Sequence, residues 1–179
     1  MLEEIISQGG KIEFPAGEMK TVFPFLINKE KFAQLSWEQL LGNRAFFDLY
    51  DSRYEISVQK GSGIFSRRSI LVQLSGNSLV EMKTNWTGNK GDLITRWAHR
   101  YTFRSIKDPD PQLIIEREAN NQRLLSFLPQ NRHGHRTVLV HPSEIELEEF
   151  VGLLIAMAFY LIIIDTNQKI AIISTPVAH

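Results

Sequence analysis

The chain has 179 residues, 20 basic and 20 acidic side chains, five histidines and no cysteine. That length suits one domain with a sizeable core, and 43% hydrophobic with 22% charged residues is too apolar for a disordered chain. Lacking cysteine, the chain has no disulfide framework, no thiol nucleophile and no cysteine-ligated metal, and its formal net charge of zero argues against a whole-domain nucleic-acid binder.

The first residues, Met1-Leu2-Glu3-Glu4-Ile5-Ile6, lack the positive start and the apolar run of about 7–15 residues that mark a secretory signal, so a cytoplasmic location is expected. Ile12-Glu13-Phe14 and Thr21 to Ile27 read as strands. Asn28 to Leu41 predicts a short helix with Phe32, Leu35, Trp37 and Leu41 on one side. Arg53 to Gln59 alternates, with Tyr54, Ile56 and Val58 on one face. Ile70–Leu74 and Leu79–Trp86 flank Ser75-Gly76-Asn77-Ser78, residues that tolerate positive φ, which predicts a hairpin. After a loop over Thr87–Asp92, Thr95 to Arg104 reads as one strand, with Trp97, His99, Tyr101 and Phe103 on its inner face. Lys107-Asp108-Pro109-Asp110-Pro111 breaks the pattern, and 113–116, 124–128 and 137–140 supply three further strands.

From Phe150 to Ile164 the chain runs for 15 residues without a charge. A membrane span needs about 20, so a buried helix is the closer match. Ser143 as N-cap with Glu146 in a capping box, and Asp165-Thr166-Asn167 as a stop, bound the predicted helix at 144–164, about 31 Å long. Its apolar residues point in every direction, so something must surround it. The strands of the same chain are the favoured sleeve, with lipid or a partner's groove as the alternatives. The expected fold is therefore mainly β (α+β): an antiparallel barrel or closed sheet wrapped around a hydrophobic C-terminal helix. The whole chain, 1–179, forms one domain, with strands and a short helix in 1–43, a strand-rich body over 44–141, the helix, and a tail over 165–179.

Many antiparallel strands followed by Glu148-Glu149-Phe150 through Ile164-Asp165 resemble the tubby-like superfamily, which includes phospholipid scramblases. The resemblance covers roughly Arg44 to Asp165. It implies a twelve-stranded barrel threaded by an apolar helix, and its phosphoinositide-binding members imply a lipid ligand. The chain departs from that pattern in the helical-looking stretch near Trp37 and in the apolar tail Ile170-Ala171-Ile172-Ile173.

Charge is unevenly distributed. Between Arg53 and Lys107 lie ten basic and three acidic residues, a local charge of +7 that the rest of the chain balances. Arg96, Arg100 and Arg104 would share the outer face of the 95–104 strand, with alternate members of the row about 13 Å apart. Arg67, Arg68 and Lys83 lie on strands expected to be neighbours. Guanidinium groups bind phosphate bidentately, so these six residues form a candidate surface for anionic lipid head groups or an acidic protein surface. A solvated face whose arginines pair with Glu or Asp is the plainer reading. Nucleic acid is the less favoured partner. His133, His135 and His141 have imidazoles suited to a metal, but Arg132 and Arg136 flank two of them, and an exposed turn explains them better. His99 reads as a hydrogen-bonded core histidine. There is no G-x-S-x-G elbow, Gly61-Ser62-Gly63 lacks the Gly-Lys-Ser/Thr of a phosphate loop, and Asp108-Pro109-Asp110 is too short for a calcium loop. The expectation is a non-enzymatic binding domain with no cofactor, peripheral to a membrane. The alternative is an assembly protein whose basic face docks an acidic partner or another copy.

Overall fold

The computed structural model describes residues 1–15, 20–39, 42–60, 67–85, 87–107 and 112–174, with backbone only at 60 and 168–174. The Gly61-Ser62-Gly63 loop, Trp86 and the Asp108–Pro111 break fall outside the described residues. A short helix, α1 (Leu2–Gln8), precedes β1 (Gly10–Pro15), β2 (Val22–Ile27), β3 (Glu30–Trp37), β4 (Arg44–Leu49), β5 (Ser52–Lys60) and β6 (Arg68–Leu74). Then come β7 (Asn77–Thr84), β8 (Lys90–Thr95), β9 (Arg100–Ile106), β10 (Gln112–Arg117), β11 (Arg123–Phe127) and β12 (His135–Val140), and last α2 (Leu147–Ser174). The strands pair antiparallel in chain order, and β1 closes on β12 from Gly10 opposite Val140 to Pro15 opposite His135. Closure leaves no free sheet edge.

Helix α2 runs through the barrel. Every residue from Phe150 to Ile162 is buried, on all sides of the helix, because inward-facing side chains from the strands enclose it. Phe14, Phe25, Phe47, Ile56, Val72, Met82, Phe103 and Phe127 are part of that wall. One helix among the described residues, Leu147–Asn167, is long and apolar enough to cross a membrane, and 78% of its most apolar window is buried within the protein. Leu2 and Ile6 of α1 join the core, and the Ser143 amide donates to Ile6 O, so α1 lies at the end where α2 enters, the upper end of the barrel.

Three local expectations are corrected. The stretch Asn28–Gln39 is no helix, and Leu41 lies outside the described residues. Asn28 (φ 52°) and Lys29 (φ 69°) make a tight turn, and β3 follows with Ala33, Leu35 and Trp37 buried at period two. The 95–104 segment is two strands. β8 begins at Lys90, inside the presumed loop, and ends at Thr95; a turn follows in which the Ala98 amide donates to Thr95 O and the Thr95 amide to His99 O, and β9 begins at Arg100. The helix limits also move. The first turn forms through the Phe150 amide to Glu146 O, Ser143 Oγ is buried with no partner among the described residues instead of capping, and α2 passes Asp165 and continues to Ser174, about 42 Å in all. Thr166 allows this passage, because its hydroxyl donates back to Ile162 O (2.7 Å) while the side chain stays buried. The hairpin at Ser75-Gly76 forms as expected, with both residues at positive φ (50° and 78°).

Candidate anion-binding site

Alternation along β7, β8 and β9 decides which polar side chains meet outside the barrel. Met82, Leu93, Tyr101 and Phe103 point into the core, so Lys83, Asp92, Thr102 and Arg104 point out. The register sets Lys83 beside Asp92, Asp92 beside Thr102, and Lys90 directly opposite Arg104. With Arg67, which precedes β6, these residues line an open depression of about 430 Å³ near the lower end of the barrel.

Its floor is tightly made. Gly91 lies where β7 and β9 crowd β8; a Cβ there would sit 2.0 Å from Lys83 O and 2.4 Å from Phe103 Cε1. The loop leading into Lys90 is held by its own side chains. Asn85 Nδ2 donates to Thr87 Oγ1 (2.7 Å) and Asn89 Oδ1 (2.8 Å), and the Lys90 amide donates to Asn85 Oδ1 (3.3 Å). The Tyr160 hydroxyl of α2 donates to Gly88 O, tying this loop to the central helix. Burial in the barrel pushes the Tyr160 phenol up to about 12, with the nearby Arg68 charge pulling the other way.

Two of the four cations have carboxylate partners. Arg104 Nε donates to Glu116 Oε2 (3.1 Å), and Lys83 Nζ lies 3.2 Å from Glu81 Oε1. Arg67 and Lys90 form no ion pair among the described residues. The Lys83–Glu81 pair is exposed on both sides, and such pairs typically contribute only about 0–1 kcal/mol, so an arriving phosphate can take over Lys83 at little cost.

The six candidate residues do not form one surface. Arg67, Lys83 and Arg104 come together. Arg68 shares the inward parity of Ile70 and Val72 and lines the lower mouth of the barrel, so adjacent arginines face opposite sides of the wall. Arg100 stays on the outer face of β9 but at its upper end. Arg96 leaves the expected row altogether. It sits in the β8–β9 turn, 4.3 Å over the Trp97 ring, and pairs with Glu148 of α2. Its partner bears out the plainer reading there, since the acidic start of α2 neutralises it. Lys90 was missed because its strand was read as a loop; the alternation Lys90-Gly91-Asp92 would have placed it beside Asp92 had β8 been recognised.

Other titratable groups have structural partners. His99 is hydrogen-bonded, as expected, but lies in a turn with its side chain 58% exposed; the buried partner is Glu149, whose Oε1 is 3.0 Å from His99 Nδ1 and accepts from the Tyr101 hydroxyl at 2.9 Å. Burial first, then the Glu149 bond, pushes the Tyr101 phenol far above its ordinary range. Arg136 pairs with Asp165 (2.9 Å), and His141 Nε2 meets Ser126 Oγ (2.9 Å). Among the described residues no three His, Asp or Glu side chains gather as a metal site.

No family model, curated protein or solved structure matches this chain.

Proposed function

We propose that the protein is a non-enzymatic domain that binds an anionic lipid head group at a membrane surface, through the depression formed by Arg67, Lys83, Lys90 and Arg104. The observation that carries this reading is Lys90 directly opposite Arg104 on adjacent strands, with Lys83 and Arg67 beside them and Asp92 the one acid among the described residues of the lining. Like charges set opposite each other on a sheet are destabilising, and an anion between them removes that repulsion. The tubby-like resemblance supports a lipid ligand, since it implies the same strand number and threaded helix and includes phosphoinositide binders. The segment Phe150–Ile162 of the apolar helix is enclosed by the barrel, and basic side chains on the outer surface would contribute about 1 kcal/mol each near an anionic leaflet.

Flotation with vesicles of neutral phosphatidylcholine, alone or with anionic phosphatidylserine or phosphoinositide, tests this reading. The protein is expected to float with the anionic vesicles at low salt, to be released as salt rises, and to lose binding with Arg67→Glu, Lys83→Glu and Lys90→Glu combined. Equal recovery with neutral vesicles, or no recovery at low salt, overturns it. A dimer or an acidic protein complex lost with the same three substitutions points instead to the assembly reading.

A further inference from the structure

One carboxylate stands among the cations of the outer depression without a partner. Asp92 is exposed on the outer face of β8, with Lys83 opposite it on β7 and Thr102 opposite it on β9. It forms no hydrogen bond or ion pair among the described residues. Lys83 turns instead to Glu81, 3.2 Å away. The next outward residue along β8, about 7 Å from Asp92, is Lys90, with Arg104 directly opposite. The lining therefore has two parts in series. One is the Lys90–Arg104 pair, and the other is a mixed part in which Asp92 stands between Lys83 and Thr102. Asp92 repels a bare anion and attracts a ligand that carries a positive charge beside its phosphate.

Resting on the head-group reading above, we propose that the depression selects the phosphoserine head group of phosphatidylserine. The phosphate lies between Lys90 and Arg104, the ammonium on Asp92 and the carboxylate on Lys83. The ammonium and carboxylate of serine share one carbon, and Asp92 and Lys83 are opposite each other on adjacent strands, where such side chains are about 4.5–5.5 Å apart at Cβ. That carbon is joined to the phosphate through one oxygen and one methylene, which suits the short step from Lys90 to Asp92 along β8. The exposed Lys83–Glu81 pair yields to an incoming carboxylate at little cost. A glycerol or inositol head group offers Asp92 only hydroxyls, which leave its charge in place, whereas an ammonium neutralises it. A head group with several phosphates would set one of them against Asp92.

Flotation of the full chain at matched surface charge tests this assignment. The vesicles are phosphatidylcholine with equal fractions of phosphatidylserine, phosphatidylglycerol or phosphatidylinositol, each carrying a single negative charge. Phosphatidylserine is expected to recover the protein best. Asp92→Asn removes the ammonium contact yet makes the depression more positive, so the two effects have opposite signs. The variant should weaken binding to phosphatidylserine by about two- to fivefold relative to phosphatidylglycerol, while binding to phosphatidylglycerol holds or rises. Glu118→Gln, which neutralises an exposed acid at the upper end of the barrel, should leave the preference unchanged. Equal recovery with phosphatidylglycerol or phosphatidylinositol overturns the serine assignment and leaves the anionic head-group reading standing. So does a preference for phosphatidylserine that survives Asp92→Asn. Recovery with none of the three overturns the head-group reading itself, and the serine assignment with it.

Discussion

Replacing Phe159 by alanine tests whether α2 is held by its own barrel. Phe159 is fully buried midway along the helix, and its ring meets Trp37 edge-on at 5.5 Å and 74°. Truncating a buried phenylalanine costs about 3–5 kcal/mol, from lost transfer energy and the cavity left behind. Of that, about 0.5–1.5 kcal/mol belongs to the aromatic pair. Domains are stable by only about 5–15 kcal/mol in total, so one side chain carries a large share. At about 2–4 °C per kcal/mol for a chain of this size, Tm should fall by roughly 6–20 °C. Calorimetry and urea unfolding in detergent-free buffer measure the loss, with exposed Tyr50→Ala as the control. A double-mutant cycle with Trp37→Leu should return a coupling of about 1 kcal/mol. A loss no larger than the Tyr50 control, or no coupling to Trp37, would refute the reasoning, since a helix facing lipid or solvent leaves no such cavity.

Other consequences are equally measurable. Gly91→Ala pushes a methyl group against the Lys83 carbonyl and the Phe103 ring, so it should destabilise by about 1–3 kcal/mol or more in urea unfolding and weaken anionic-vesicle binding, because Lys83, Lys90 and Arg104 surround it. Tyr160→Phe removes the bond to Gly88 O and should cost about 1 kcal/mol. Because the folded Tyr160 pKa is raised from 10.0 to about 12, its share of stability is full below pH 10 and declines as pH climbs toward 12; tyrosinate absorbance should show one fewer late-titrating phenol in the variant, with the Tyr101 phenol remaining. Burial, and then the Arg123 charge, lower the His141 pKa below 6.5. The unfolded chain therefore takes up that proton first, and stability should drop as pH falls below about 6.5, less steeply in His141→Gln. An unchanged slope in that variant would remove His141 from the acid response.

Local pattern carried the reading where one signal stood alone. Tyr54, Ile56 and Val58 alternate without competition, and Ser75-Gly76 supplies two residues that accept positive φ. It failed where signals conflicted. In β3, Glu, Lys, Ala, Gln and Leu are good helix formers, yet the segment follows a tight Asn28-Lys29 turn and buries Ala33, Leu35 and Trp37 against α2 and its neighbours. The β8–β9 turn was hidden because Ala98 adopts φ 62° without the Gly or Asn that usually marks such a turn.

The composition of the segment before Asp165 dictated an enclosed helix, because a rod apolar on every side has no stable surface to show to water. Alternation in the strands dictated that one face of each would line the enclosure. Tertiary structure alone decided which side chains become neighbours: Lys90 with Arg104, Arg96 with Glu148, Trp37 with Arg68 around one cavity. Those pairings depend on strand register and barrel closure. Both are set jointly by contacts between residues far apart in the chain, and a one-residue slip would carry every side chain of a strand to the opposite face.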